Sequence, residues 1–199
     1  MNDTFSQPDR RHRLALLLVD VNRSFFDPAG SFFYPAAADV LEPLRALLAA
    51  ARAGGRLVLH AREVHHGGVY DHEWSKLPPH CIRDDFDAQP YPGFTEVNGE
   101  IVVPKRRYSA FFATDLALIL NEQATRRLIV AGVKTNVCIR ATVQDAFAYG
   151  LRPTVVRGAV NSNRNHLHAA SLEDIERYFG ELIDLDTAVG WLRDEAPDD

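Results

Sequence analysis

The stretch that decides the fold is RLIVAGVKTNVCIRATVQDAFAYG, which runs from Arg127 to Gly150. It begins with an apolar run, residues 128–131, of the kind found in strands that are buried on both faces. Gly132 then opens a tight connection, and apolar residues recur at helical spacing over residues 137–149. The pattern predicts a buried strand, a short turn and a helix.

Cys138 lies at this turn, in the first turn of the predicted helix. The unpaired amide groups at a helix start favour negative charge, so we expect the thiolate to be stabilised relative to the thiol. This is a suitable position for a cysteine nucleophile. The alternative is that Cys138 is a small buried apolar residue, which is the commoner role of a lone cysteine.

The rest of the chain repeats this alternation of strands and helices. Strands are predicted over residues 14–19, 56–61, 101–103, 128–131, 153–157 and 181–185, and helices over residues 39–53, 114–123, 137–149, 167–179 and 187–193. The alternation predicts an α/β fold, a single doubly wound domain with a mostly parallel sheet. We assign residues 1–13 to a flexible tail and residues 14–199 to this domain. Residues 62–100 have no clear period, so we expect a functional insert, such as a lid or a subunit contact.

Composition excludes several classes of protein. The 199 residues are 46% hydrophobic and 25% charged, which suits one globular domain. The net charge of −5 argues against general binding to nucleic acid or to anionic membranes. Two cysteines are too few for a disulfide framework, and the polar N-terminal residues do not resemble a secretory signal. We therefore expect a cytoplasmic protein with reduced thiols and no membrane-spanning segment.

Asp20, Lys105 and Cys138 each follow a predicted parallel strand. The carboxyl ends of such strands meet at one edge of the sheet, where doubly wound folds bind their ligands. As a set they suit nucleophilic catalysis: Cys138 attacks a carbonyl, and Asp20 takes the thiol proton and returns it to the leaving nitrogen. Lys105 would keep both partners charged and oriented. The backbone N–H groups of Cys138 and Lys134 are candidates for stabilising the oxyanion.

The spacing of these residues resembles the isochorismatase-like cysteine hydrolases. The resemblance covers about residues 14–192 and rests on the segments LLLVDVN, PPHC, PKRRYSAFFATDL, AGVKTNVCIRAT and SLEDIERYFG. It implies a six-stranded parallel sheet with helices on both faces and hydrolysis through a thioester. It also implies a non-proline cis peptide between Val133 and Lys134, which directs the amides of Lys134 and Cys138 into the oxyanion hole. Members of the family tend to form homodimers or homotetramers.

Within this family, the KRRYSAFF and TNVC segments are most similar to ureidoacrylate and carbamoyl-amide hydrolases. We therefore predict an amidohydrolase that acts on a small ureide or carbamoyl amide. One alternative is vinyl-ether hydrolysis of the isochorismatase type, in which Asp20 donates a proton and no thiol is needed. Two binding proteins are non-enzymatic alternatives: a small-molecule binder on the same fold, and a flavodoxin-like module, which would be yellow.

Nicotinamidase is a further alternative within the family. The resemblance implies that nicotinamidases usually bind a metal through Asp-x-His and a later histidine. The corresponding segment here is LHAREVHHGG, which lacks Asp-x-His. We therefore expect His60, His65 and His66 to be structural or surface residues, and we predict neither a metal nor a cofactor.

Several other side chains are candidates for substrate binding because they lie near the strand ends or in the insert: Asn22, Phe25, Trp74, Tyr108, Phe111 and Asn163. Ordinary roles remain open for them. Asn22 could cap a turn, the aromatic residues could belong to the core, and Trp74 could contact another subunit. Cys81 has no strand–helix setting, and we expect it to be inert.

Overall fold

The computed structural model describes residues 9–194, which form a three-layer α/β domain around a six-stranded parallel sheet. The strands are β1 (Leu14–Val19), β2 (Leu57–Glu63), β3 (Ile101–Lys105), β4 (Arg127–Val133), β5 (Arg152–Asn161) and β6 (Glu181–Ile183). Their order in the sheet is β3-β2-β1-β4-β5-β6. The predicted fold class is confirmed.

The central strand β1 is buried along its whole length because the sheet is covered on both faces. Successive residues point to opposite faces, so Leu16 and Leu18 enter one core cluster and Leu17 and Val19 the other. This explains why LALLLV is a continuous apolar run rather than an alternating one.

The helices divide between the two faces of the sheet. They are α1 (Arg23–Phe26), α2 (Leu41–Ala53), α3 (Leu116–Glu122), α4 (Arg140–Ala148), α5 (Asn165–Asp174) and α6 (Leu185–Arg193). The apolar sides of α2 and α6 pack on one face. Those of α3, α4 and α5 pack on the other. None of the helices in the described range 9–194 has the length and apolar character needed to cross a bilayer.

Four boundaries differ from the predicted ones at positions that affect the site. β2 and β3 each end two residues later than predicted, so Glu63 and Lys105 are strand residues. The predicted helix over 137–149 is a wide turn, Thr135–Ile139, followed by α4. β5 is longer than predicted because it continues through a register shift opposite β4 and reaches Asn161. The exposed pair Arg157 and Gly158 interrupts the apolar run, which is why the sequence indicated a loop there.

The insert over residues 62–100 contains only short 3₁₀ turns, His72–Ser75 and Phe86–Ala88, after the end of β2. One isolated bridge, between Asn22 and Pro90, joins it to the residues that follow β1, and a second, between His65 and Ile82, closes a loop within the insert. It is therefore an irregular segment held against the edge of the sheet at which the strands end. Of the predicted tail, residues 1–8 lie outside the described range, and Arg10–Arg13 form a 3₁₀ turn.

The strand order reverses between β1 and β4, whose chain connections run to opposite sides of the sheet. The contact between these strands is close at Gly132, where φ is +124° and a Cβ would lie 2.1 Å from the carbonyl oxygen of Val19. Only glycine fits this position. The residues that follow β1 and β4 are thereby placed side by side at the carboxyl edge.

Candidate active site

Asp20, Lys105 and Cys138 lie together at the carboxyl edge of the sheet. Lys105 Nζ is 2.8 Å from Asp20 Oδ2 and 3.6 Å from Cys138 Sγ. The side chains of Asp20 and Lys105 are fully buried, and Cys138 is 4% exposed. Three residues from the ends of three strands thus form one compact group of a carboxyl, an ammonium and a thiol.

Asp20 is held in place by the neighbouring strand. Its backbone N–H donates to the carbonyl of Ala61 at 2.8 Å, and its Oδ1 accepts from the N–H of Glu63 at 2.8 Å. Its φ of +53° lies in the left-handed region, which aspartate tolerates better than most residues. Burial raises the pKa of the Asp20 carboxyl, and the positive charge of Lys105 opposes that rise.

Lys105 stands at the end of β3, and its Nζ also donates to the carbonyl oxygen of Arg107 at 3.3 Å. Burial alone would lower the pKa of this ammonium, but the negative charges of Asp20 and of a Cys138 thiolate raise it above its ordinary value. Lys105 is therefore charged throughout the neutral range. It can stabilise a negative charge on either Asp20 or Cys138.

The structure corrects the expectation that the resting thiolate of Cys138 is stabilised. Burial raises the pKa of the Cys138 thiol well above its ordinary value, and Asp20 and Glu63 raise it further, although Lys105 lowers it. The sequence shows the helix start but not the depth at which it is buried. Burial therefore disfavours the thiolate in the resting site, and the proton of the thiol must leave when the thiol reacts.

The backbone around Cys138 contains the predicted pair of amide donors. The peptide bond between Val133 and Lys134 is cis. The carbonyl of Lys134 accepts from the N–H groups of Val137 and Ile139, which closes the turn. Within the described residues the N–H of Lys134 itself makes no hydrogen bond, so it is free to donate to a ligand.

The side chains predicted to bind substrate fall into two groups. Phe25 and Asn22 are buried beside the catalytic edge, and Asn22 donates to Cys81 Sγ at 3.8 Å. Tyr108 is 37% exposed and lines an open groove next to the Cys138 turn, together with Val137.

The second group lies elsewhere. Phe111 is a core residue, and its ring stacks on Tyr149 with the centroids 5.2 Å apart. Of the two roles left open for it, the structure supports core packing. Trp74 is half-buried against His65 in the insert, and its Nε1 has no partner within residues 9–194. Asn163 is exposed beyond β5, and no hydrogen bond in the described part of the chain joins it to the site.

A buried cluster of carboxylates and histidines borders the catalytic group, and the sequence had not indicated it. Glu63, His65, Glu73 and His80 each offer a ligand atom, and these atoms lie within 4.8 Å of one another. Both carboxylate oxygens of Glu73 and the Nε2 atoms of both histidines lack hydrogen bonds in the described residues. The signal was Glu63-Val64-His65, a carboxylate-x-His at the end of β2, with the later histidine in PPHC.

The donor set of this cluster fits a divalent transition metal, for which imidazole and carboxylate are suitable ligands. Its charges also interact directly. Burial would raise the pKa of Glu63, but Lys105 and the two histidines lower it well below its ordinary value. Burial would lower the pKa values of His65 and His80, but Glu63 raises both. Burial and the charge of Glu63 raise the pKa of Glu73 to about 7.

Comparison with known proteins decides the family of the chain. A family model described as the isochorismatase domain matches residues 14–187. The chain belongs to the isochorismatase family. The family predicted from the sequence is therefore confirmed, and so is the prediction that the chain is a hydrolase.

The relatives of this isochorismatase-family hydrolase include two enzymes named for amide hydrolysis. Maleamate amidohydrolase of Pseudomonas putida is 33% identical over 189 residues, which cover 90% of this chain and 86% of the relative. N-carbamoylsarcosine amidase of Arthrobacter sp is 30% identical over 189 residues, which cover 91% and 72%. Among solved structures, a cysteine hydrolase from Pseudomonas syringae superposes with a TM-score of 0.88 at 24% identity, covering 95% of this chain and 96% of the other.

Proposed function

We propose that this isochorismatase-family hydrolase cleaves a C–N bond of a small ureide or carbamoyl amide through a thioester on Cys138. The observation that carries the proposal is the buried ammonium of Lys105, which lies within 2.8 Å of a carboxylate and 3.6 Å of a thiol. The names of the relatives support amide hydrolysis as the reaction class.

In the first half-reaction, Cys138 Sγ attacks the carbonyl carbon of the substrate while Asp20 takes the thiol proton. The negative charge that develops on the carbonyl oxygen is stabilised by the backbone N–H groups of Lys134 and Cys138. The tetrahedral intermediate then collapses. Its C–N bond breaks, Asp20 returns the proton to the leaving nitrogen, and ammonia or an amine departs from the thioester.

In the second half-reaction, water attacks the thioester carbonyl and Asp20 takes a proton from it. The C–S bond breaks, the carboxylic or carbamic acid is released, and Cys138 regains its proton. Lys105 remains charged throughout and balances whichever neighbour is negative. This role explains why the site holds its positive charge at full burial, where an unpaired ammonium would be strongly destabilising.

If a divalent metal binds to the acid–histidine cluster, Glu63, His65, Glu73 and His80 would hold it, and it would supply a Lewis acid next to the site. The chemistry described above belongs to the side chains of Asp20, Lys105 and Cys138.

The proposal is tested by ammonia release from ureidoacrylate, biuret, N-carbamoyl amino acids, maleamate and nicotinamide. We expect release by the wild type from at least one ureide or carbamoyl amide. Cys138→Ala should abolish it with an unchanged circular dichroism spectrum, whereas Cys81→Ala, the matched control at the other cysteine, should retain it. Equal turnover by Cys138→Ala and wild type would contradict a thiol mechanism. If nicotinamide is the only compound hydrolysed, the proposed ureide or carbamoyl-amide substrate class is wrong and the enzyme is a nicotinamidase.

A further inference from the structure

The side chain of Lys134 lies between three aromatic rings at the mouth of the site. Its Nζ is 5.6 Å from the centroid of Phe25, 5.4 Å from that of Phe32 and 5.4 Å from that of Tyr34. These distances are within the range of cation–π attraction, which holds an ammonium over ring faces. We call Phe25, Phe32 and Tyr34 the aromatic cage.

The aromatic cage is fixed by contacts of its own. Phe25 and Phe32 stack with their centroids 5.9 Å apart, and Phe32 packs edge-on against His80 at 4.6 Å. Tyr34 donates its hydroxyl hydrogen to Asn161 Oδ1 at 2.6 Å. The ammonium is therefore held by a preorganised wall rather than by flexible neighbours, and the rings exclude water from one side of it.

The charge of Lys134 has no acidic partner. Within residues 9–194 no carboxylate lies within ion-pair distance of its Nζ, and this nitrogen donates no hydrogen bond. Lys134 is half-buried, but its Nζ is not one of the fully buried polar atoms without a partner, so a ligand can reach its three N–H donors from solvent. Burial lowers the pKa of Lys134, while the negative charges of Cys138 and Glu63 raise it and Arg164 lowers it. The arrangement is complementary to an anion that the chain itself does not provide.

This ammonium also stands close to the reacting atoms along the chain. Lys134 is the residue whose backbone N–H we assign to the oxyanion, four positions before Cys138. The negative charge of a Cys138 thiolate raises the pKa of Lys134, so the two side chains are near enough to interact, and an anion bound at Nζ would lie in the same part of the site. A short substrate could then reach the thiol with its amide carbonyl and the ammonium with its other end.

We propose that Lys134, positioned by the aromatic cage, determines substrate specificity by binding a carboxylate of the substrate at its Nζ, so that the enzyme selects short anionic amides over neutral ones. This inference rests on the proposed function for the identity of the reacting group. Binding of the carboxylate, however, can be measured without turnover.

The first experiment measures binding in the inactive Cys138→Ala background, with maleate as the probe and isothermal titration calorimetry as the method. We expect Lys134→Met to weaken maleate binding by about 10- to 100-fold, since a hydrogen bond to a charged group is lost. Lys134→Arg should restore most of it. Lys76→Met removes the charge of an exposed lysine in the insert and should leave maleate binding unchanged. Equal binding by Lys134→Met and its parent would overturn the proposal.

The second experiment measures kcat/KM for maleamate and for its neutral methyl ester. Lys134→Met should reduce the ratio of kcat/KM for maleamate to kcat/KM for the ester by about 10- to 100-fold. A loss of activity that is equal for both substrates cancels in this ratio. A ratio that does not change would overturn the inference. If no amide is hydrolysed while maleate binding still depends on Lys134, the proposed function fails and the carboxylate site stands. Thermal denaturation of each variant identifies any that does not fold, and Lys134→Gln, which also removes the charge, then replaces Lys134→Met in the comparison.

Discussion

Lys105 Nζ lies 2.8 Å from Asp20 Oδ2, and neither side chain is exposed to solvent. Removing one member of a buried pair leaves an uncompensated charge, which typically costs about 3–5 kcal/mol unless the remaining group takes up a proton. We expect Lys105→Met to shift the Asp20 pKa upward and to lower kcat at pH 7 by about 100-fold or more, because protonated Asp20 cannot accept the thiol proton.

The Lys105 prediction is checked by steady-state kinetics together with the rate at which iodoacetamide alkylates Cys138. Both should fall in Lys105→Met, whereas Lys76→Met should match the wild type in both measurements. An alkylation rate that stays at the wild-type value in Lys105→Met would show that the ammonium does not stabilise the thiolate.

The pH dependence of kcat/KM should reflect the ionisation of Asp20. Burial raises its pKa above the ordinary value of 3.8, and the reaction needs the ionised form. Activity should therefore be low where Asp20 is protonated and should rise with pH through this raised pKa, so that the acidic limb of kcat/KM lies above the usual range of a carboxyl group. Profiles from pH 3 to pH 9 would show this limb. An acidic limb at the pKa of an ordinary aspartate would contradict the assignment, as would substantial activity in Asp20→Asn.

Gly132 offers a test of how β4 is placed against β1. A methyl group at this position would lie 2.1 Å from the carbonyl oxygen of Val19, and φ is +124°. Gly132→Ala is expected to lower the free energy of unfolding by about 3 kcal/mol or more, because both overlap and backbone strain oppose the alanine. Gly190→Ala is the matched control, since no atom lies within 4 Å of the added carbon in α6, and alanine there should be neutral or stabilising by up to about 1 kcal/mol. Urea denaturation measures both; similar losses would refute the packing argument.

Asp71 should contribute to stability at neutral pH and lose that contribution in acid. Burial would raise its pKa, but hydrogen bonds from the N–H of Glu73 and from His65, together with Arg107, lower it to about 2. Because the pKa in the folded state lies below the unfolded value of 3.8, the stabilisation is present above pH 3.8 and disappears as the pH falls through 2. Asp71→Asn should therefore cost about 2 kcal/mol at pH 7 and progressively less below pH 4.

Unfolding of Asp71→Asn by urea at pH 7, 5, 4 and 3 would measure this loss. The same substitution at the exposed Asp39 serves as the control and should have little effect at any of these values. A difference between wild type and Asp71→Asn that is constant from pH 7 to pH 3 would contradict the predicted linkage.

The sequence predicted the sheet and the grouping of three side chains at its carboxyl edge because both depend on local signals. Continuous apolar runs mark strands buried on both faces, and parallel strands bring their carboxyl ends to one edge, so Asp20, Lys105 and Cys138 could be assigned from their positions alone. The pKa of the Cys138 thiol could not be predicted in the same way, because the burial that shifts it results from the packing of the whole domain. That is why the pKa of the Cys138 thiol is raised by burial, although the sequence indicated that it would be lowered.

The acid–histidine cluster and the aromatic cage were missed for a different reason. Glu63 and His65 are two positions apart in sequence, but Glu73 and His80 reach them through an irregular segment that has no period to analyse. Likewise, Lys134 follows β4, whereas the rings around it belong to residues 25–34. Contacts between a strand end and an irregular loop depend on the path of the loop, and neither periodicity nor local propensity encodes that path.

The aromatic cage and the catalytic group come from separate parts of the chain. All three rings belong to one short segment, residues 25–34, while the reacting side chains stand at the ends of three different strands. Residues 27–34 of this segment lie outside helices and strands, and such loops tolerate insertions and substitutions far better than a buried sheet does. A change of substrate preference made through this one segment would therefore leave the positions of Asp20, Lys105 and Cys138 in the sheet untouched.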